Sequence, residues 1–389
     1  MKEVDMIKVE TLPPILSPYV MAKPEVLEEV LDRYSSDPEM AWRVTYIRTM
    51  NRLLAPARWI EERFFNANVR KTELASPPLM ILGHWRSGTT HLHYTLAQDP
   101  QFATISNAQI GSPTCYFSLG HWLTRLAPIL PHIKRPMDNL PMGIELPQEE
   151  ELAMPALTTA TLYYYWMFPR EFASLFDQYC LFKGEGSNRQ QDFLEAYHFV
   201  LQQATYADPG KTLLLKNPPS TARLALLADH YPDSKFVHIH RNPYDVYRSS
   251  QRLFDKMSSS LGLQTVSPEQ RDEMILHVYD GMMNTYLAQR NSIPSDRLIE
   301  IRYEDLEINP MKEIKGIYEQ LDLPGWDDAE RPIQAYLKQQ RNYQKNDYVQ
   351  DPDLIRQVNQ RWEFAFGAFG YEMQDTPTAS QLRKTATAS

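Results

Sequence analysis

Residues 83–90 read GHWRSGTT, with Gly83 and Gly88 bracketing a short loop between the apolar run PPLMIL and the helix-compatible stretch HLHYTLAQD. A strand that ends in such a loop and then opens a helix is a phosphate cradle. The glycines let the main chain turn tightly, and the first N–H groups of the helix face the anion. The glycine spacing is that of the G-x-x-x-x-G-K-[ST] loop of nucleoside triphosphatases, but the lysine position is Thr89 here. A phosphate would be held by main-chain amides and by Ser87, Thr89 and Thr90, with Arg86 as the cation. Such a loop fits a nucleotide with one transferable, weakly charged group better than a magnesium–triphosphate. Three more polar sets follow apolar runs: Lys216-Asn217, Arg241 with Ser249, and Arg302 to Glu304.

The elements that must position these groups follow a repeating plan. Strands are predicted at 79–82, 212–215, 236–240 and 298–301, with ATISNAQ a further candidate, and helices follow them. Apolar strands alternating with helices imply a three-layer α/β/α fold with a central parallel sheet, and ligands bind beyond the carboxyl ends of such strands. Arg241 in a turn and Ser249 two helical turns later can clamp a second phosphate. Two phosphate sites on one sheet edge point to a bis-phosphorylated nucleotide. The predicted organisation is an N-terminal helical extension over 1–75, with Pro56 kinking or dividing its long helix. A nucleotide-binding core covers 76–325 and carries a substrate-side insert at 108–160. A C-terminal helical closure at 326–374 and a flexible tail at 375–389 complete it.

With these motifs in order, the chain resembles the sulfotransferases that use 3′-phosphoadenosine 5′-phosphosulfate (PAPS), in particular the bacterial and carbohydrate-type members. RSGTT is similar to the family's 5′-phosphosulfate loop, HRNPYDVYRSS to its 3′-phosphate motif, and IRYEDLEINP to a further signature whose tyrosine lies near the adenine. The resemblance runs from residue 79 to about 325. It implies a P-loop-like nucleotide-binding fold with PAPS as co-substrate. Arg86, Ser87, Gly88, Thr89 and Thr90 would sit on the 5′-phosphosulfate, Arg241 and Ser249 on the 3′-phosphate, and Tyr303 beside the adenine. A basic C-terminal segment closes over the nucleotide in this family, and Arg341 and Lys345 are its candidates here.

Two departures bear on mechanism. The cytosolic branch has lysine where Arg86 stands, and an arginine stays protonated, so Arg86 stabilises charge on the leaving phosphate without donating a proton. That branch also has a catalytic histidine two positions after the strand-end lysine, where this chain has Pro218. The base must come from elsewhere. Carbohydrate and tyrosine sulfotransferases use glutamate, and ELPQEEELAM places Glu149, Glu150 and Glu151 just inside a predicted helix start. Consecutive helical residues fan out by about 100°, so one should point into the site and the others into solvent; Glu149 is favoured, then Glu151. The reaction expected is in-line transfer of a sulfuryl group to a hydroxyl, or less favourably an amine, with Arg86 and Lys216 stabilising the leaving phosphate. No metal is required.

Two other readings stay open: a P-loop-like kinase or nucleoside triphosphatase, and a non-catalytic nucleotide-binding protein that kept the cradle and lost the base. The missing loop lysine, and the lack of a clear aspartate at a strand end, count against the first. Of the histidines, His93, His238 and His240 read as packing residues, with His84 and His91 as minor site candidates. The aromatic run LYYYWMFPREF reads as core. The formal charge of −9 argues against general nucleic-acid binding. Cys115 and Cys180 show no metal-ligand spacing and suit a reducing cytoplasm. Neither a signal peptide nor an apolar run of membrane-spanning length is expected. The apolar stretch 116–142 would line a greasy pocket or touch a lipid-bearing acceptor, so the acceptor classes kept are small molecule, lipid and carbohydrate, with peripheral membrane contact allowed. Oligomeric state is not readable.

Overall fold

Side-chain alternation along the apolar runs decides the architecture. In the strand Leu79–Leu82, Leu79 and Ile81 face one side of the sheet and pack with Leu92, Leu306, Ile314 and Ile317. Met80 and Leu82 face the other, in a separate apolar cluster that includes Leu224, Leu227 and Phe236. A strand buried on both faces needs helices on both, which makes a three-layer α/β/α fold. The computed structural model describes residues 18–125, 133–134, 141–184, 188–340 and 352–375.

Among the described residues the main sheet contains strands β1 (Leu79–Leu82), β2 (Phe102–Ala103), β3 (Thr212–Lys216), β4 (Lys235–His240) and β5 (Leu298–Arg302). Their spatial order is β2-β3-β1-β4-β5, and every pairing is parallel. The chain leaves central β1 toward β2 and β3 on one side, then returns to β4 and β5 on the other. The order therefore reverses beside β1, and a crevice opens there at the carboxyl edge. Because all five strands run the same way, the residues after β1, β3, β4 and β5 share that edge.

One local expectation is corrected and one is met. ATISNAQ forms only the end of a short strand, Phe102–Ala103, because Ser106 caps a helix, Asn107–Gly111, with Gln109 closing a capping box. The long N-terminal helix is divided between Ala41–Leu53 and Ala55–Phe64, with Pro56 in the first turn of the second piece, where its missing N–H costs no hydrogen bond. Helices Trp326–Gln340 and Pro352–Phe369 follow the core. Among the described residues no helix is long and apolar enough to cross a membrane. Arg341, Lys345 and residues 376–389 of the tail lie outside the described residues.

Candidate active site

The loop after β1 is built on two left-handed glycines. Gly83 has φ +137°, and a Cβ there would lie 2.3 Å from the Ile239 carbonyl oxygen. Gly88 has φ +99°, and a Cβ there would meet the Tyr303 ring at 2.2 Å. Neither position accepts a side chain, so the loop lies directly on β4 and on the start of the helix Tyr303–Ile308. Gly83 N–H donates to Thr221 Oγ1 at 2.7 Å, and Ser87 Oγ donates to the His84 carbonyl at 2.7 Å. Ser87 is buried and its hydroxyl shapes the turn. Thr89 and Thr90 open the helix Thr89–Leu96, whose first amides have no intrahelical acceptor.

Arg86 is the strained residue of the loop, at φ +72°. A non-glycine residue in this region costs on the order of 1 kcal/mol and persists only where its surroundings fix it. What fixes it here is Ser249, whose Oγ accepts a 2.7 Å hydrogen bond from Arg86 Nε. The two phosphate motifs, 163 residues apart, thus touch directly.

Ser249 is carried by the helix Pro243–Leu261, started by Asn242, whose side chain accepts from Tyr244 N–H. Asn242 N–H in turn donates to Glu304 Oε1 at 3.0 Å, and Glu304 Oε2 accepts from Tyr371 O–H at 2.8 Å. Glu304 therefore organises the rim. Arg241 lies 4.5 Å from the centre of the Tyr303 ring and is paired with Asp245 at 3.1 Å. Among the described residues its buried Nε has no hydrogen-bond partner, a donor that an anion would satisfy. A cleft of about 570 Å³ runs between these groups, lined by Arg86, Thr90, His91, Arg241, Tyr303 and Lys338 among others. Lys338 comes from the C-terminal helix Trp326–Gln340 and was not singled out in the sequence, because nothing in its surroundings marks a surface lysine as facing a cleft.

At the end of β3 the three glutamates take three different environments. None points into solvent, contrary to the expected fan: Glu149 is 9%, Glu150 1% and Glu151 0% exposed. The segment Glu150–Ala156 is a 3₁₀ helix with Glu149 at its N-cap, and it packs against β3 and its neighbours rather than on the surface. Glu149 Oε1 accepts from Lys216 Nζ at 2.7 Å. The Tyr163 hydroxyl lies between Glu149 Oε2 and Asn217 Oδ1. Glu150 Oε1 accepts from Tyr197 O–H at 2.6 Å and its Oε2 from the Lys216 main-chain N–H at 3.1 Å. Burial pushes its carboxyl up to about 7. Glu151 is held by Arg223 at 2.6 and 3.2 Å, by Asn217 Nδ2 at 2.7 Å and by Thr161 Oγ1 at 3.0 Å.

Lys216 is therefore gripped twice, its ammonium by Glu149 and its amide by Glu150. Sequence reasoning missed Arg223, Tyr163 and Tyr197. Arg223 carries no local signal, and Tyr163 is hidden in the aromatic run, which is indeed buried core. His93 is fully buried near Lys216, and burial lowers it to about 3, so it is neutral. His238 is fully buried and stacks on Tyr286 at 3.9 Å. On the other side of the loop, His84, Trp85, Tyr165, Phe172, Ser250 and Phe254 line a small aromatic cavity. His84 is lowered to about 4 by burial, and its Nδ1 donates to the Trp85 carbonyl. Among the described residues that leaves His84 Nε2 as an acceptor without a partner, and Trp85 Nε1 and Ser250 Oγ, which line the same cavity, without one as well.

A parallel α/β sheet whose β1 loop and Arg241–Ser249 segment adjoin at its switch point is the architecture of a group-transfer enzyme of the α/β class. The chain belongs to the Sulfotransferase family, whose model matches residues 77–328. It is an enzyme that transfers a sulfuryl group. It is 28% identical over 319 residues to the omega-hydroxy-beta-dihydromenaquinone-9 sulfotransferase Stf3 of Mycobacterium tuberculosis (strain CDC 1551 / Oshkosh), covering 82% of this chain and 81% of that protein. The Stf3 of Mycobacterium bovis matches equally. Among solved structures, sulfotransferase STF9 from Mycobacterium avium superposes with a TM-score of 0.60 at 19% identity, covering 94% of this chain and 89% of the other. STF1 from Mycobacterium tuberculosis H37Rv does so with a TM-score of 0.56 at 17% identity, over 83% and 85%. These two share the fold.

Proposed function

We propose that this sulfotransferase moves the sulfuryl group of PAPS to a hydroxyl of an apolar, lipid-like acceptor, with Glu149 as general base. The observation that carries this reading is the 2.7 Å bond between Arg86 and Ser249, which makes one continuous anion site of the two motifs. Arg241, with its unpartnered Nε and the Tyr303 ring beneath it, suits a 3′-phosphate next to an adenine. Arg86 and the first amides of Thr89–Leu96 suit the 5′ side.

Glu149 takes the acceptor proton as the acceptor oxygen bonds to sulfur. The bond from sulfur to the 5′-phosphate oxygen breaks, and Arg86 with the Lys216 ammonium meets the charge that develops there. Glu149 is chosen over Glu151 because all the hydrogen-bonding capacity around Glu151 is spent on Arg223, Asn217 and Thr161, whereas Glu149 touches Lys216 at the strand end. The transferred group carries a single charge, so this scheme invokes no metal. The lipid-like acceptor is supported by the acceptor named for the Stf3 relatives. The insert 108–160, which carries Glu149, forms the acceptor side in this scheme, and the helix Trp326–Gln340 closes the nucleotide side through Lys338. Two free, buried cysteines support a cytoplasmic setting.

The test is to incubate the pure protein with PAPS and a panel of long-chain and aromatic alcohols, and to read products by mass spectrometry. A gain of one sulfuryl group on a hydroxyl, lost in Glu149→Gln, is expected. Transfer only to amines, or undiminished turnover in Glu149→Gln, overturns the scheme. In parallel, 3′,5′-ADP should raise the unfolding temperature and magnesium–ATP should not.

A further inference from the structure

Among the described residues, six of the nine exposed large hydrophobic side chains lie in one part of the chain, the others being Tyr206, Ile308 and Met373. Trp42 (54%), Leu53 (66%), Trp59 (64%), Ile60 (39%), Phe64 (59%) and Trp122 (57%) are strongly exposed, and all but Trp122 come from the two N-terminal helices Ala41–Leu53 and Ala55–Phe64. On the second helix, Trp59, Ile60, Arg63 and Phe64 fall within an arc of about 140° at 100° per residue. Glu61 points the opposite way, where it is buried and accepts from the amides of Phe117 and Ser118 at 3.1 and 2.8 Å. Those bonds dock the insert segment Tyr116–Gly120 against this helix, and Trp122 follows directly on the short helix His121–Thr124.

The charge of this region runs against the rest of the chain. Residues 41–72 hold seven Arg and Lys, of which Arg48 is paired with Glu28, and two Glu, one of them the inward Glu61, whereas the whole chain has 40 basic and 49 acidic residues. Cations sit beside the exposed rings: Arg63 lies 5.6 Å from Phe64 and Arg125 4.3 Å from Trp122, whereas Arg43, 5.4 Å from Trp42, donates to the carbonyls of Ser259, Ser260 and Gly262. Arg52 and Arg63 are exposed. Tryptophan and phenylalanine interleaved with arginine on an otherwise acidic protein match the boundary of an anionic bilayer. There the rings enter the headgroup layer and the guanidinium groups meet lipid phosphates.

We propose that the outer face of the helices Ala41–Leu53 and Ala55–Phe64, together with Trp122, docks the enzyme on an anionic lipid surface. The face belongs to helices anchored by Glu61 to the same insert that carries Glu149, so docking there brings the acceptor side of the site to the bilayer. This last point rests on the acceptor reading above, but docking itself needs neither PAPS nor an acceptor and is measured without them.

The experiment is flotation of the full chain with vesicles of phosphatidylglycerol mixed with phosphatidylcholine, and with phosphatidylcholine alone. Wild type should float with the anionic vesicles and be released by salt. The pairs Trp59→Ser with Phe64→Ser, and Arg52→Glu with Arg63→Glu, should each weaken binding about tenfold or more. Their unfolding temperature and their sulfuryl transfer to a short, water-soluble alcohol should stay unchanged. Failure of wild type to float, or equal flotation of the variants, overturns the proposal. So does a dimer in sedimentation that the same variants dissolve, because the face would then be a contact between two copies of the chain.

Discussion

The loop 83–90 and the glutamate segment 149–151 meet the same ligand edge by opposite means. The loop is open: its glycines have left-handed backbones, its arginine is strained, and it borders a cleft of about 570 Å³. The glutamate segment is closed, with three buried carboxylates set against Lys216 and Arg223 and hydrogen-bonded to tyrosines and amides. A cradle for a mobile anion must keep donors unspent. Charges in a low-dielectric interior must be paired, and a base of the kind proposed for Glu149 would be held still by that pairing. Glu149 and Glu151 show the distinction within three residues: one touches the strand-end lysine, the other is locked beneath it.

The largest effect that would break this contrast is on turnover. Glu149→Gln should lower kcat by about 100- to 10,000-fold, the range of a lost general base, while 3′,5′-ADP still protects the protein from thermal unfolding. If the two losses came together, Glu149 would be a structural residue like its neighbour. Glu151→Gln should act on stability: removing one partner of the buried pair with Arg223 should cost about 3–5 kcal/mol in denaturant unfolding. A loss under about 1 kcal/mol would mean that the segment is not the rigid half of the site.

Glu150 sharpens the contrast through pH. Its carboxyl is raised from 4.5 to about 7 by burial, so the folded chain keeps a proton that the unfolded chain releases. The resulting stabilisation is full below about pH 4.5, shrinks as pH rises and is gone above about pH 7, amounting to roughly 3 kcal/mol at most. Compared with wild type, Glu150→Gln should show a flatter dependence of unfolding free energy across that window. A matching slope in both would remove the assignment. The smallest effect belongs to the open side. Arg241→Ala should weaken 3′,5′-ADP by about 1.5–3 kcal/mol and Ser249→Ala by about 1 kcal/mol, read by calorimetry, with unfolding little changed. Substantial destabilisation by either would show that the cradle, too, is part of the packed frame.

Much of the open half was legible in the chain itself. The glycine spacing, the arginine turn followed by a serine two turns later, and the YED signature are local patterns. A parallel sheet carries every strand end to one edge, so local reading locates them together. The short strand at Phe102–Ala103 was overestimated because ATISNAQ has an extended composition, while the capping box at Ser106 and Gln109 is the stronger local signal. The glutamates were found as candidates, but their orientation was misjudged. A helix-start geometry assumes solvent on one side, and here β3, Tyr163, Tyr197 and Arg223 close around all three.

The sequence by itself therefore determined the strand–loop–helix order and the edge on which the segments 83–90 and 241–249 meet, because each depends on spacing within a few residues. Tertiary structure alone decided which carboxylate faces Lys216 and which is sealed against Arg223. It also decided that Arg86 is braced by Ser249 and that the exposed rings of the N-terminal helices lie on one basic face. Those outcomes depend on partners tens to hundreds of residues away, and burial and pairing between such partners are set only when the layers close.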